Sequence, residues 1–331
     1  MRLAAFPRFP LLSGPTPLQR AERLERALGP NSPHIFIKRD DLTNLAYGGN
    51  KARKLEYLVA DALAKGATVL VTEGVTQSNH ARMTAAAAVL AGLKCILILD
   101  ARNGNDDQGN LLLDRLLGAE IRIVSGGSER REAMLAIGDE LRAAGEVPYV
   151  VPTGGSVPLG SLGYVRAVHE LQSQLLELEE TPTRVYFPNG SSGTFAGIVA
   201  GAKVFNVGWE PIAVSVEGEE EEMRSNAYPQ LVGTLELLDT TITAEPEDLL
   251  IAHGFQGTGY GIPTEAGIEA ILLLAKTEAI FLDPVYTGKA MSALIAHVRA
   301  GYFAPEESIV FIHTGGTPSV FVHRDLLLQS M

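Results

Sequence analysis

A lysine placed directly after a glycine-rich turn is the residue in this chain whose type and setting best suit covalent chemistry. Lys51 follows Tyr47-Gly48-Gly49-Asn50 and opens the amphipathic stretch Lys51-Ala52-Arg53-Lys54-Leu55-Glu56-Tyr57. A cation in the first turn of a helix is disfavoured by the positive end of the macrodipole. That field, with partial burial, lowers an ammonium pKa and favours the neutral amine that Schiff-base formation needs. A solvated surface lysine is the alternative on this segment alone.

Two further segments have the form of a strand, a polar loop and a helix start. In the first, Thr68-Val69-Leu70-Val71 leads through Gln77-Ser78-Asn79-His80 into an alanine-rich helix. Free N–H groups at that helix start, with Ser78, Asn79 and His80 beside them, suit a carboxylate. Ordinary N-capping accounts for one of these polar residues but not for three. In the second, Val185-Tyr186-Phe187-Pro188-Asn189 leads into Gly190-Ser191-Ser192-Gly193-Thr194. Glycines that admit a close backbone approach, interleaved with hydroxyls, form a phosphate cradle. It is neither a Walker loop nor the dinucleotide glycine fingerprint.

Taken in order, these motifs and Ile312-His313-Thr314-Gly315-Gly316 resemble the pyridoxal-phosphate enzymes of the tryptophan-synthase β-subunit fold (fold type II). The likeness is closer to the branch holding D-cysteine desulfhydrase, 1-aminocyclopropane-1-carboxylate deaminase and L-cysteate sulfo-lyase. It runs nearly end to end, through Pro15-Thr16-Pro17-Leu18, Ile37-Lys38-Arg39-Asp40-Asp41-Leu42 and Asp283-Pro284-Val285-Tyr286-Thr287-Gly288-Lys289. The resemblance implies pyridoxal 5'-phosphate as cofactor, Lys51 as its aldimine lysine and general base, and Asn50, Asn79 and Gly190 to Thr194 around it. It makes Thr314 the partner of the pyridine nitrogen, and Ser78, Asn79, His80, Tyr260 and Tyr286 the substrate contacts, with Ser78, Tyr260 and Tyr286 also catalytic. A homodimer is implied as well.

The deaminase pattern carries Val-Tyr-Glu-Gly and Ser-Asn-Gln, whereas this chain has Tyr286-Thr287 and Asn79-His80. Glu73, Thr76 and Met83 also depart from the branch. A hydroxyl in place of a carboxylate at the pyridine nitrogen favours prompt loss of a good β-leaving group. The expected reaction is therefore α,β-elimination from D-cysteine to pyruvate, ammonia and hydrogen sulfide. L-Cysteate comes second and aminocyclopropane carboxylate third. A non-catalytic amino-acid sensor on the same fold would have no need of Lys51.

Bulk properties agree with a soluble α/β enzyme. The 331 residues allow about two domains, with 46% apolar and 20% charged residues. A formal net charge of −12 argues against nucleic acid or an anionic membrane as partner. No membrane-length apolar window or leader pattern is present, which leaves the cytoplasm as the expected location. The single cysteine, Cys95, lies in an apolar run and reads as a core thiol. The acidic run from Glu217 to Glu222 reads as a solvated helix start, not a metal site.

Alternating strand and helix patterns predict parallel sheets. Strands are expected at 68–71, 95–99, 120–124, 148–152 and 308–312, and helices at 79–91, 109–117 and 128–144. After Lys51, the residues Leu55, Leu58, Val59, Ala62 and Leu63 mark one buried helix face. Residues 152–160, rich in Gly and Pro, are the best linker. The resemblance implies a large domain of residues 1–47 and 158–331, with residues 48–157 as a smaller inserted domain and the cofactor between them.

Overall fold

The computed structural model describes residues 2–101, 106–126 and 128–331. Its strands are β1 (Leu18–Arg20), β2 (His34–Lys38), β3 (Val69–Val75), β4 (Lys94–Asp100), β5 (Glu120–Val124), β6 (Pro148–Val150), β7 (Arg184–Asn189), β8 (Glu210–Ser215), β9 (Leu250–Ala252) and β10 (Ser308–Ile312). The helices are α1 (Glu22–Leu28), α2 (Lys51–Ala64), α3 (Asn79–Ala91), α4 (Gly109–Leu116), α5 (Ser128–Ala143) and α6 (Pro158–Glu177). They continue with α7 (Gly193–Phe205), α8 (Glu220–Leu237), α9 (Glu265–Glu278), α10 (Thr287–Arg299), α11 (Pro318–Val322) and α12 (Arg324–Gln329).

These strands form two sheets. One has the order β1-β2-β10-β7-β8-β9 and is parallel except for the edge strand β1. The other, β5-β4-β3-β6, is parallel throughout. Strand β4 reads Cys-Ile-Leu-Ile-Leu because helices cover both faces, so alternation gives way to a continuous apolar run. Cys95 lies in it, and burial pushes its thiol up out of the usual range. The carboxyl ends of β3, β7 and β10 each lead into a loop that opens on the cleft between the sheets, where ligands of open α/β folds bind.

Three features differ from the sequence reading. Strand β3 runs on to Val75, so Glu73 belongs to it and not to the loop. On α2, Leu63 is exposed, whereas Arg53, Lys54 and Glu56 are buried. The helix packs against α3 on one side and α6 on another, leaving no solvent face for its first turns. Arg53 is matched there, binding Asp40 at 2.7 Å and Glu170 at 2.9 Å. Finally, residues 152–160 are no plain linker, since they contribute part of the cavity wall.

Candidate active site

Lys51 stands at the start of α2 because the turn before it is fastened at Gly48, Gly49 and Asn50. The Gly49 N–H donates to the Asp40 carbonyl at 2.9 Å, and the Asn50 N–H donates to the Thr314 carbonyl at 2.9 Å. Arg82 of α3 donates to the Gly48 carbonyl at 3.0 Å. Gly48 has φ of 70°, and a Cβ there would overlap the Asp41 carbonyl, so only glycine closes this turn.

The amine so delivered lines a cavity of about 190 Å³. Among the described residues no hydrogen bond or ion pair holds it. Desolvation lowers the Lys51 ammonium to about 8, which keeps a working fraction neutral near physiological pH. The same cavity is lined by Asn50, Ser78, Asn79, His80, Gly190, Ser191, Ser192, Thr194, Tyr260, Tyr286 and Thr314. Residues spread over the whole sequence are thus brought together. Gly193 is set just behind this wall, with no room for a side chain.

One side of the cavity can receive a carboxylate. Ser78 caps α3 by accepting from the Ala81 N–H at 3.2 Å, which leaves its own proton to donate. The Asn79 amide oxygen accepts from Asn110 at 2.9 Å, so its NH2 stays available. His80 behaves differently from the expectation. Thr72 donates to the Val151 carbonyl at 2.7 Å and must therefore accept from His80 Nε2 at 2.9 Å. Burial, reinforced by Lys51 and Lys54, holds the ring well below the usual histidine range. Its one N–H is engaged, so His80 can meet an anion only through its backbone N–H.

The opposite side suits a phosphate. Ser192, at φ 66°, turns the chain into α7. Thr194 accepts from the Asn50 side chain at 2.9 Å, and Ser191 from Ser156 at 2.9 Å. A Cβ on Gly193 would lie 2.7 Å from Ser156 and 2.8 Å from Lys54 Nζ. Lys54 was a residue the sequence reading gave no role in binding. It is fully buried, and its only partners among the described residues are the Gly154 carbonyl at 3.1 Å and the Ser156 hydroxyl at 3.3 Å. Burial, with Lys51 nearby, lowers its pKa strongly. A buried ammonium with no carboxylate beside it calls for an anion, and a phosphate in the cup fits that need. Its spacing, one helical turn beyond Lys51, was the available signal.

The far wall holds Tyr260 and Tyr286, whose hydroxyls lie 2.5 Å apart with the rings edge-on at 5.9 Å. Burial, then Tyr260, pushes the Tyr286 phenol well above its ordinary range, so it stays protonated. Two corrections arise here. Glu217 is not part of a solvated helix start: it lines the cavity beside Gly190 and Tyr286, while Glu220 to Glu222 begin α8. Thr287 lies away from the cavity, exchanging hydrogen bonds with Asp283 at 2.7 Å. The contrast with a carboxylate at the ring nitrogen therefore rests on Thr314, which lines the cavity, and not on Thr287. Among the described residues no His, Cys, Asp and Glu cluster could hold a metal ion, and no helix is long and apolar enough to cross a membrane.

The Gly193→Asp variant is expected to bind pyridoxal phosphate at least tenfold more weakly. It adds a negative charge beside Lys54, and a charge-assisted hydrogen bond lost there costs about 1.5–3 kcal/mol. Titration of the folded variant with cofactor checks this, and unchanged affinity would place the phosphate elsewhere.

Known proteins match this chain over nearly its full length. It is 41% identical over 330 residues to the D-cysteine desulfhydrase of Yersinia enterocolitica, covering 98% of each chain. It is 40% identical over 327 residues to that of Salmonella choleraesuis, covering 97% of this chain and 98% of the other. A crystal structure described as an ACC deaminase homologue superposes with a TM-score of 0.91 at 39% identity, covering 99% of this chain and 98% of that one. The pyridoxal-phosphate dependent enzyme family matches residues 10–315. With a desolvated lysine set between two helix starts lined by polar side chains, the chain belongs to the pyridoxal-phosphate dependent enzymes.

Proposed function

We propose that this protein is a pyridoxal-phosphate-dependent carbon–sulfur lyase that converts D-cysteine and water to pyruvate, ammonia and hydrogen sulfide. The observation that carries the reading is the Lys51 amine, unpartnered among the described residues, between two helix starts suited to anions, with a hydroxyl, Thr314, on the same wall. Asn50, Lys54, Asn79, Gly190 to Thr194 and Thr314 would hold the cofactor, which when bound supplies the electron sink for the Cα carbanion. The Ser78 hydroxyl, the Asn79 amide and the N–H groups opening α3 orient the substrate carboxylate. Lys51, neutral when unprotonated, takes the Cα proton. Tyr260 and Tyr286 bound the β-substituent and exclude water.

A pyruvate assay over a substrate panel tests this. D-Cysteine is expected to be turned over, and aminocyclopropane carboxylate poorly or not at all, because its ring opening breaks a carbon–carbon bond with no good leaving group. Comparable rates on the two would overturn the choice of substrate. L-Cysteate is the second reading, and one observation favours it. Arg130 lines the same cavity, and its Nε is buried with no partner among the described residues, a setting that suits a sulfonate.

The assembly is part of the same proposal. Residues 1–47 with 158–331 form the large domain and 48–157 the inserted one, supported by β3 to β6 making a sheet of their own. The protein is a cytoplasmic homodimer on the same resemblance. Light scattering that gave a fully active monomer would refute the dimer.

A further inference from the structure

Behind the tyrosine pair lies a second cavity of about 160 Å³. It shares Asn79, Tyr260 and Tyr286 with the lysine cavity, and Ser319, Val322 and His323 form its other side. Space of this size admits several waters. Most of its polar groups are already engaged. The Asp283 carboxylate accepts from the N–H groups of Val285, Tyr286 and Thr287 at 2.8–2.9 Å. Gln77 is tied to Gln108 at 3.1 Å and to Asn110 at 2.9 Å.

His323 is different. Its Nδ1 lies 2.9 Å from the Ser319 carbonyl oxygen, so that nitrogen carries a proton. The ring's other nitrogen, Nε2, has no hydrogen-bond partner among the described residues. In the protonated ring Nε2 is a donor at the cavity, and His323 is only half-buried, so it can regain a proton from solvent.

Elimination from the thiolate of cysteine needs such a donor. The Cα–H bond breaks and its proton goes to the Lys51 amine. The substrate reacts as its thiolate: the Cβ–S bond breaks with its electron pair on sulfur, and the strongly basic sulfide takes a proton as it departs, leaving as hydrosulfide. We propose that the second cavity supplies this proton. The Tyr260–Tyr286 pair gives a hydroxyl proton to the departing sulfur, and His323 Nε2 returns one to the tyrosinate through cavity water. This inference rests on reading the protein as a carbon–sulfur lyase. It adds His323 as a proton-supplying residue that never touches the substrate.

The test compares two leaving groups on the holoenzyme. Sulfide expelled from the thiolate substrate must be protonated, whereas the chloride of β-chloro-D-alanine leaves without a proton. In His323→Ala, pyruvate formation from D-cysteine is expected to fall about 10²-fold, the low end for general acid catalysis, with β-chloro-D-alanine unchanged. Added imidazole should restore the D-cysteine rate. Val322→Trp, which fills the cavity and leaves His323 in place, should show the same selectivity. Equal losses on both substrates, or no loss on either, would overturn the proposal. A wild-type enzyme inactive on both would instead overturn the lyase reading itself.

Discussion

Lys51→Ala is expected to lower pyruvate release from D-cysteine by about 10²- to 10⁴-fold or more, the range for loss of a positioned general base. The loss should exceed that of a base alone, because the same amine anchors the cofactor. No neighbour can replace it. Lys54 is one turn away, but its Nζ is held by Gly154 and Ser156 at 3.1 and 3.3 Å, behind the cup. Its side chain is fully buried and faces the expected phosphate, not the Cα of a substrate. Borohydride reduction of the wild-type holoenzyme followed by peptide mapping should place the adduct on Lys51. The variant should lose the visible absorbance band of the holoenzyme unless an external amine is added. Retained activity in a folded Lys51→Ala protein would end this reading of the site.

Arg53→Met is expected to cost about 3–5 kcal/mol of stability, the penalty for leaving buried charges without their partner. The Arg53 guanidinium binds both oxygens of Asp40 at 2.7 and 2.9 Å and both of Glu170 at 2.9 Å. Tyr164 adds a bond to Asp40 at 2.6 Å. Burial alone would push the Asp40 carboxyl up, but the charge and hydrogen bonds of Arg53, with Lys38 and Tyr164, hold it at about 2. The pH dependence follows from that direction. A depressed native pKa contributes stability that is present above the unfolded value, about 3.9, and is lost as pH falls through the native value. Without Arg53, Asp40 takes up its proton at higher pH and the unpaired charge disappears. The stability gap between variant and wild type should therefore narrow as the pH drops through about 4. Denaturant midpoints measured across that range check it, and a gap independent of pH would mean that Arg53 acts by packing alone.

Much of the architecture was legible in the chain. The strand at 308–312 and the helix at 79–91 match β10 and α3, because a helix period after a capping serine, and a β-branched run in a buried strand, are local signals. The two loops that open on the cavity were legible for the same reason: a strand, small polar residues and a helix start follow one another within a few positions. The lysine after Gly-Gly-Asn carried its chemistry in its own context.

What the sequence left open depends on residues that meet only after folding. Glu217 read as part of an acidic run, yet the end of β8 brings it beside Gly190 and Tyr286 in the cavity. Lys54 read as a neighbour of Lys51, yet α6 and the turn at 154–156 enclose it behind the phosphate cup. Thr287 read as a residue of the reaction site, but the N-terminal turn of α10 directs its hydroxyl to Asp283. The role of His80 was decided by a donor two elements away, since Thr72 gives its proton to Val151 and so takes the only N–H of the ring. The amino-acid sequence by itself determined the alternating strands and helices and the setting of Lys51, because these rest on short-range pattern, and the order of its motifs carried the resemblance that implied the fold type and the cofactor. Tertiary structure decided which charges are buried, which donors are engaged and which walls two cavities share, because burial and hydrogen-bond partnership are properties of pairs far apart in the chain.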